Sequence, residues 1–504
     1  MRYTLLLLLT VFLFNSCGIL PPRIPQPKRE FRGVWVATVV NIDWPKNGTD
    51  TAEKQKKDFL DILDFYEHLN YNALIVQVRA AGDAFYPSEF APWSRYLTGE
   101  EGRPSNWEED NLEWMIQQTH ERGMEFHAWL NPYRATFNMN TDILSATHDY
   151  NTHPEWMLPY GTKYYYNPGL PEVRERFSQI IEEIVTNYDI DAIHFDDYFY
   201  PYKIQDEVLE DSLAYNTYRQ PNQSLADWRR SNVDSLVKNV HHTIKDLKPW
   251  VQFGISPFGV WKNRDTDPRG SDTKAGQTNY EDLYADPLLW MHKGWIDYIA
   301  PQVYWSMDLP VASHRKITDW WSENSDNTKL YIGNGAYKVR NNSDAAWERK
   351  KELPQQLTLA RKTAEVSGNI LFSAKSLMNN NPDVVRHLKR KYYRQPALPP
   401  EMSQYSREIP EIIRLKGSQR KEDGVALSFK GIDEMPYALI YASGKNVKTD
   451  YPMKQLQQKM YIKGQSGQLT IPDVMASQRY LAITFLDRYG KESTPILVRP
   501  KEIN

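Results

Sequence analysis

A short apolar segment that closes on polar and aromatic residues recurs eight times along the first four-fifths of the chain. Helical patterns separate these segments, as in residues 171–188, where Phe177 and Ile181 fall on one apolar stripe. Eight such units over about 360 residues predict an α/β fold, a (β/α)8 TIM barrel with enlarged loops. The strand-like segments are 31–40, 73–79, 125–130, 192–196, 251–256, 298–305, 330–335 and 369–373.

A doubly wound open sheet is the alternative architecture for alternating strands and helices. Such sheets bind nucleotides through a glycine-rich turn after the first strand. The first predicted strand here leads instead into Asn41, Ile42 and Asp43, with no glycine among them. The sequence therefore favours the closed barrel, and nucleotide binding gains no support.

The character of the chain changes after residue 393. A proline-rich stretch follows, and beyond it short alternating segments are separated by turn residues, which is typical of a small β-sandwich of the fibronectin III or immunoglobulin type. The predicted divisions are a signal peptide (1–16), a lipidated cysteine with a proline-rich tether (17–29), the barrel (30–393), a linker (394–411) and the sandwich (412–504).

The first residues have the pattern of a bacterial export signal. Arg2 is followed by an apolar run that is too short to span a bilayer. The run ends before Cys17, the single cysteine of the chain, in a context that resembles a lipobox. We expect lipidation at Cys17 and, because Gly18 rather than Asp follows it, an outer-membrane anchor on the periplasmic or cell-surface side. A simple secretory peptide is the alternative.

Composition excludes several classes of function. The formal net charge is -3 without a long basic face, which argues against nucleic acid as a partner. The histidines lack ligand spacings such as His-Glu-x-x-His, so no metal and no cofactor are expected. A serine hydrolase is disfavoured because no Gly-x-Ser-x-Gly turn is present.

Residues 191–201 read DAIHFDDYFYP, an apolar strand pattern that ends in two adjacent carboxylates among aromatic residues. Carboxylates supply the acid, base or nucleophile for glycosidic cleavage, and aromatic rings stack on the apolar faces of sugars. Alternation along the strand sends His194, Asp196 and Tyr198 into the barrel mouth. We expect Asp196 to be catalytic, with Asp197 as its partner, although aspartates also commonly cap turns at strand ends.

Polar and aromatic residues at the other strand ends are candidate substrate ligands, because the strand ends of a barrel meet at one rim. The full set is Asp43, Gln77, Arg79, Trp129, Asn131, Tyr133, His194, Tyr198, Trp261, Gln302, Tyr304 and Trp305, and Trp35 is a further candidate for sugar stacking. Asp43, Asp83 and Asp308 are less favoured choices for the second catalytic carboxyl. Arg79 is open to another interpretation, as an ion-pair partner of Asp196.

Five segments of the predicted barrel resemble the glycosyl hydrolase-like 10 family, bacterial (β/α)8 proteins once classed as a domain of unknown function. They read FRGVWVA (31–37), YYNPGLPEVR (165–174), IHFDDYFYP (193–201), FGISPFGVW (253–261) and IAPQVYW (299–305). The resemblance implies a glycoside hydrolase, and more narrowly an exported lipoprotein that cuts peptidoglycan glycan strands stripped of their stem peptides. Alternatives are a glycosidase of polysaccharide uptake and a carbohydrate-binding lipoprotein of the cell envelope without turnover.

Overall fold

The structure is a computed structural model that describes residues 24–378, 380–405, 413–422, 424–432, 434–443, 456–462, 468–472 and 480–498. Eight parallel strands close into a barrel, with β1 hydrogen-bonded to both β2 and β8. They are β1 Phe31–Val36, β2 Ala73–Arg79, β3 Glu125–Leu130, β4 Ala192–Phe195, β5 Gln252–Ile255, β6 Tyr298–Ile299, β7 Lys329–Asn334 and β8 Val366–Phe372. The predicted (β/α)8 barrel is confirmed.

Helices flank the barrel, between successive strands and after the last one. They are α1 Ala52–His68, α2 Arg95–Thr98, α3 Asn111–Glu121, α4 Asp149–Thr152, α5 Pro171–Asn187, α6 Ser212–Tyr218, α7 Leu225–Leu247, α8 Pro287–His292, α9 His314–Asn324, α10 Glu352–Lys362, α11 Lys375–Met378 and α12 Pro382–His387. Local chemistry sets their starts: the Thr51 side chain caps α1 and the Asp110 side chain caps α3. Within the described residues, no helix is long and apolar enough to cross a membrane.

The barrel interior is filled by aromatic rings rather than by aliphatic layers. Phe31 stacks on Tyr331 with ring centroids 4.1 Å apart. The hydroxyl of Tyr298 lies 2.9 Å from Nδ1 of both His127 and His194. Gly254 makes room for this ring, because a Cβ there would lie 1.9 Å from Cζ of Tyr298. The floor of the barrel mouth is therefore a rigid, hydrogen-bonded layer.

Replacing Gly254 with Ala is expected to destabilise the barrel by about 1–3 kcal/mol, because the new methyl group must displace a ring that two histidines hold in place. The free energy of unfolding in urea measures the effect. Gly276→Ala is the matched control, since nothing lies within 4 Å of its added Cβ, and it should be neutral or slightly stabilising. Equal stability of the two variants would contradict this account of the interior.

Two features of the barrel rim differ from the pattern in the sequence. Strand β6 has two residues where the pattern predicts eight, because Pro301 has no N–H to continue the ladder. Gln302 and Tyr304 consequently lie on a loop. An unpredicted antiparallel hairpin, Met157–Tyr160 with Lys163–Tyr166, pairs with the chain beyond β3 through the bond from Tyr166 N to Tyr133 O at 2.8 Å.

Two antiparallel sheets follow the barrel. Their strands are β9 Arg414–Lys421, β10 Gly424–Lys430, β11 Tyr437–Ser443, β12 Leu456–Tyr461, β13 Gln468–Pro472, β14 Tyr480–Leu486 and β15 Ile496–Val498, in the orders β9-β10-β13 and β12-β11-β14-β15. Leu427, Ile440 and Phe485 belong to their shared core. The sheets agree with the predicted β-sandwich, and its fibronectin-like identity stays a prediction. Residues 1–23 and 406–412, which include Cys17 and part of the predicted linker, lie outside the described residues.

The second unit contacts the barrel face at which the strands begin. Arg488 forms an ion pair with Asp189 at 2.7 Å, and the Tyr437 hydroxyl donates to Met124 O at 3.5 Å. Met124 directly precedes β3, and Asp189 lies shortly before β4. The opposite face, where the strands end, stays clear of these contacts.

Candidate active site

A cavity of about 510 Å³ opens at the face where the barrel strands end. Its walls combine two carboxyls, two cations and many apolar or aromatic side chains. It is lined by Trp35, Val39, Val40, Ile42, Gln77, Trp129, Arg134, Phe137, Lys163, Asp196, Asp197, Tyr198, Ser256, Gln302, Tyr304 and Phe372. This is the location of active sites in TIM-barrel enzymes.

Asp196 follows β4 directly and is held by N–H donors. Trp129 Nε1 and Asn131 Nδ2 each donate to Oδ2 at 3.2 Å, and the backbone N–H of Tyr198 donates to Oδ1 at 3.4 Å. These N–H groups can donate but cannot accept a hydrogen bond. Both oxygens of Asp196 are therefore arranged as acceptors.

Asp197 has a different environment. Its Oδ2 lies against the hydroxyl of Tyr202, a group that can either donate or accept a hydrogen bond. Gln302 also interacts with this carboxyl and is fixed by its own bond from Nε2 to Ser256 O at 2.9 Å. Asp197 can thus hold a proton without losing its partner.

Burial raises the pKa of both carboxyls, and the charge of Asp197 raises the pKa of Asp196 further. The pKa of Asp196 rises to about 7, chiefly through burial and then through the charge of Asp197. Burial raises the pKa of Asp197 to about 6, against the lowering effect of the Tyr202 hydrogen bond. The pair therefore carries about one proton near neutral pH, which is the state that acid catalysis beside an anion requires.

We expect kcat/KM on a soluble glycan to follow a narrow bell, with its maximum between about pH 6 and about pH 7. Above this range the pair loses its last proton and with it the acid. Below this range both carboxyls are protonated and the anion is lost. Initial rates from about pH 4 to about pH 9 measure the profile, and full activity at the alkaline end would contradict the shared proton.

A buried layer supports the carboxyls from below. His194 accepts from Trp35 Nε1 at 3.1 Å and lies 3.0 Å from the hydroxyl of Ser256. Burial lowers the pKa of His194 well below its ordinary value, so the ring is neutral. Its role in this geometry is to fix Trp35, which forms part of the cavity wall.

The structure brings most of the predicted site residues together. Asp196, Asp197, Gln77, Trp129, Tyr198, Gln302 and Tyr304 line the cavity, as does Trp35. Asn131 and His194 lie behind this wall and touch its members. Alternation along β4 predicts that the His194 side chain points into the barrel. The Asp196 side chain, two residues further on, points the same way.

Other predicted ligands do not line the cavity. Trp261 stacks on Trp320 in the outer core, with ring centroids 5.8 Å apart. Arg79 donates to Asn131 O at 3.0 Å and forms no ion pair with Asp196 across the described residues. Tyr133 is fully buried in the core, and Trp305 packs edge-on against Phe258.

The alternative second carboxyls also lie elsewhere. Asp43 accepts from Ala37 N and Ser373 Oγ, each at 2.8 Å, and so ties the loop after β1 to the end of β8. Asp83 is buried and caps its own loop through Ala81 N at 3.2 Å. The Asp308 side chain is 80% exposed. Asp197 is the remaining candidate as partner of Asp196.

Sequence reasoning missed part of the cavity wall. Val40 is 55% exposed and has φ 45° and ψ 35°, a left-handed conformation that is rare for a β-branched residue. Arg134, Phe137 and Lys163 come from the long connection between β3 and β4. Val40 ends the first predicted strand and Arg134 follows shortly after the third, so the pattern held a signal for these two residues and none for Phe137 and Lys163.

No group of three or more His, Cys, Asp or Glu side chains suited to a metal ion occurs in the described part of the chain.

Residues 30–349 match the model of the family described as "Glycosyl hydrolase-like 10". The chain is 44% identical over 436 residues to glycosyl hydrolase YngK of Bacillus subtilis (strain 168), which covers 84% of this chain and 85% of the relative. It is 38% identical over 375 residues to glycosyl hydrolase DigH of Escherichia coli (strain K12), covering 70% of this chain and 84% of the relative.

The structure is also similar to the glycoside hydrolase domain of PgaB (BpsB) from Bordetella bronchiseptica, with a TM-score of 0.49, 13% identity, and coverage of 72% of this chain and 99% of that chain. The family match and the two sequence relatives decide the assignment. The protein is a glycoside hydrolase that belongs to the glycosyl hydrolase-like 10 family.

Proposed function

We propose that this glycoside hydrolase cleaves peptidoglycan glycan strands that have lost their stem peptides, with Asp196 and Asp197 as the catalytic pair. The observation that carries the proposal is the pair itself. Two adjacent, buried carboxyls with raised pKa values lie in a cavity walled by Trp129, Tyr198 and Tyr304. Glycosidic cleavage needs one protonated and one ionised carboxyl beside an aromatic surface for the sugar ring.

Hydrogen bonding assigns the two roles. The pKa of Asp196, about 7, lies above that of Asp197, about 6, an order that by itself favours the proton on Asp196. We nevertheless assign the ionised role to Asp196, because Trp129, Asn131 and Tyr198 N can only donate to it, whereas the Tyr202 hydroxyl beside Asp197 can also accept a hydrogen bond. Asp197 holds the proton and delivers it to the leaving glycosidic oxygen. Asp196 then meets the positive charge that develops at the anomeric carbon, either as nucleophile or by steadying the acetamide group of the substrate.

The apolar side of the cavity supports an N-acetylated sugar as substrate. Val40, Ile42, Phe137 and Phe372 all line it, and they are partly or largely exposed rather than packed into the core. An acetamide methyl group would cover such a surface, because removing apolar area from water is favourable. The exposed Val40, in its strained conformation, is the clearest contact candidate in this group.

Purified peptide-free glycan strands test the proposal. Soluble reducing sugars should accumulate with the wild-type protein and not with Asp196→Asn. Neutral plant and host polysaccharides, assayed in parallel, test the alternative of a polysaccharide-uptake enzyme. Cleavage of one of these polymers without cleavage of the strands would refute the peptidoglycan assignment.

We also propose that the protein is an exported lipoprotein, attached to the outer membrane through Cys17 and a proline-rich tether. The lipobox-like context of the single cysteine supports this. Labelling of cells with a radioactive fatty acid should tag the wild type and leave Cys17→Ser untagged. Equal labelling of the two would refute the anchor.

The domain divisions are part of the same proposal: a barrel over 30–393, a linker over 394–411 and a sandwich over 412–504. The contacts of Arg488 and Tyr437 with the barrel face opposite Asp196 support a spacing role for the sandwich. It would hold the cavity away from the membrane without covering its mouth.

A further inference from the structure

Two cations line the cavity beside the carboxyls. Arg134 is 8% exposed, and its guanidinium carbon lies 4.5 Å from the centroid of the Tyr198 ring. Its Nη1 donates to Ala80 O at a long 3.5 Å. The buried Nε of Arg134 has no acceptor among the residues that the structure describes.

Lys163 is the second cation. It begins the second strand of the hairpin and is half-buried at the cavity wall. Burial and the charge of Arg134 lower its pKa, so the two cations are close enough to repel each other. Lys245 and Lys262, in similarly sheltered places, are paired with Asp297 at 2.8 Å and Asp267 at 3.1 Å.

Neither Arg134 nor Lys163 forms an ion pair with a carboxylate anywhere in the described ranges. The charge of Arg134 lowers the pKa of Asp196 and Asp197, so negative charge on these carboxyls neutralises part of the positive charge of Arg134. Because the acid pair keeps about one proton near neutral pH, positive charge in the cavity exceeds negative charge. Sheltered charges of this kind are costly unless a partner neutralises them.

We infer that Arg134 and Lys163 bind a carboxylate carried by the sugar in the cavity. The unpartnered Nε of Arg134 and a neighbouring Nη can take both oxygens of a carboxylate in the planar fork geometry, and Lys163 adds a point charge. This inference rests on the proposed function and sharpens it. If it holds, the enzyme selects its substrate by the carboxylate on the sugar as well as by the polymer backbone.

A sugar carboxylate can come from two kinds of polymer. In peptidoglycan it is the lactyl group of muramic acid, which is free and anionic only after the stem peptide has been removed, since an amide bond to the peptide eliminates the charge. In an acidic polysaccharide it is a hexuronic acid. Both present the same carboxylate to Arg134 and Lys163.

The test compares substrates that differ only in charge: peptide-free glycan strands and their carboxyl methyl esters. For the wild type we expect esterification to lower kcat/KM by on the order of tenfold or more. For Lys163→Met we expect the ratio of kcat/KM on the acid to kcat/KM on the ester to fall towards one. Lys163→Arg should restore the preference for the acid. Lys57→Met is the matched control, because Lys57 lies on the exposed face of α1, where it pairs with Asp61.

Wild-type protein that cleaves acid and ester equally would overturn the inference and leave the proposed function standing. An N-acetylhexosamine–hexuronate polymer and its methyl ester form the second arm. If the protein cleaves the unesterified hexuronate polymer but neither the glycan strands nor their methyl esters, the carboxylate site is supported and peptidoglycan is refuted as the substrate. Failure to cleave any of the four polymers would overturn both. Thermal unfolding of each variant confirms that a changed ratio is not a folding defect.

Discussion

Replacing Asp196 with Asn is expected to lower kcat on glycan strands by on the order of 10³-fold, with little change in KM. The substitution removes the negative charge that faces the developing positive charge and keeps the shape of the side chain. We expect little change in the melting temperature, because relief of the costly buried carboxyl beside Asp197 offsets the loss of the oxygen that accepts from Trp129 Nε1 and Asn131 Nδ2. Reducing-sugar kinetics and thermal unfolding measure the two effects.

Asp43→Asn is the matched control for this prediction. Asp43 is also a buried aspartate at a strand end of the same rim, but its oxygens accept from Ala37 N, Ser373 Oγ and Lys375 N. An amide NH₂ cannot accept, so we expect a loss of about 1–3 kcal/mol in stability. Catalysis below the melting temperature should be far less affected. Normal kcat for Asp196→Asn would remove Asp196 from the chemistry.

Asp197→Asn distinguishes the two roles within the pair. A proton donor is needed when the leaving group is a poor one, such as a sugar hydroxyl. With an N-acetylglucosaminide that carries a dinitrophenol leaving group, Asp197→Asn should regain most of its activity and Asp196→Asn should not. The reverse result would exchange the assignments of Asp196 and Asp197.

Replacing Glu30 with Gln is expected to destabilise the barrel by about 3–5 kcal/mol. Glu30 is 6% exposed and bridges two arginines, Arg32 at 2.7 Å and Arg361 at 2.5 Å. The cluster joins the start of β1 to α10, where the first and last strands close the barrel. Loss of the one negative charge would leave two sheltered guanidinium groups facing each other.

Urea unfolding measures this loss. Glu100→Gln is the control, since Glu100 and Arg103 form an ion pair at 2.7 Å with both side chains exposed, and its removal should cost less than about 1 kcal/mol. A similarly small cost for Glu30→Gln would show that water reaches the cluster.

The same cluster predicts a pH dependence of stability. Burial raises the pKa of Glu30, but the hydrogen bond and charge of Arg361 and the charge of Arg32 outweigh it, and the pKa lies below the ordinary value of 4.5. The unfolded chain then binds a proton more readily than the folded chain. The stabilisation is complete above about pH 4.5 and is lost as the pH falls through the folded-state pKa, a loss that Glu30→Gln should not show.

The predicted units of the barrel follow from periodicities that are local properties of the chain. Apolar stripes such as that of Phe177 and Ile181 require helices that face a core, and a run such as 192–195 requires a buried strand. Alternation extends one residue beyond β4, which is why the inward position of Asp196 was predictable. The same reasoning failed for Arg79, although it stands at the end of β2.

Alternation no longer determines where a side chain points once the strand ladder is interrupted or has ended. The register of β2 against β3 shifts between Gln77 and Arg79, and Arg79 turns to Asn131 O and leaves the place beside the acids to Arg134. Lys163 and Phe137 reach the cavity only because the hairpin pairs with the chain beyond β3.

The sequence by itself therefore determined the barrel, the acidic end of its fourth strand and the family. The tertiary structure alone decided which charges accompany those acids. Periodicity reports only on neighbours along the chain, whereas the position of a loop depends on contacts between residues that are far apart in sequence.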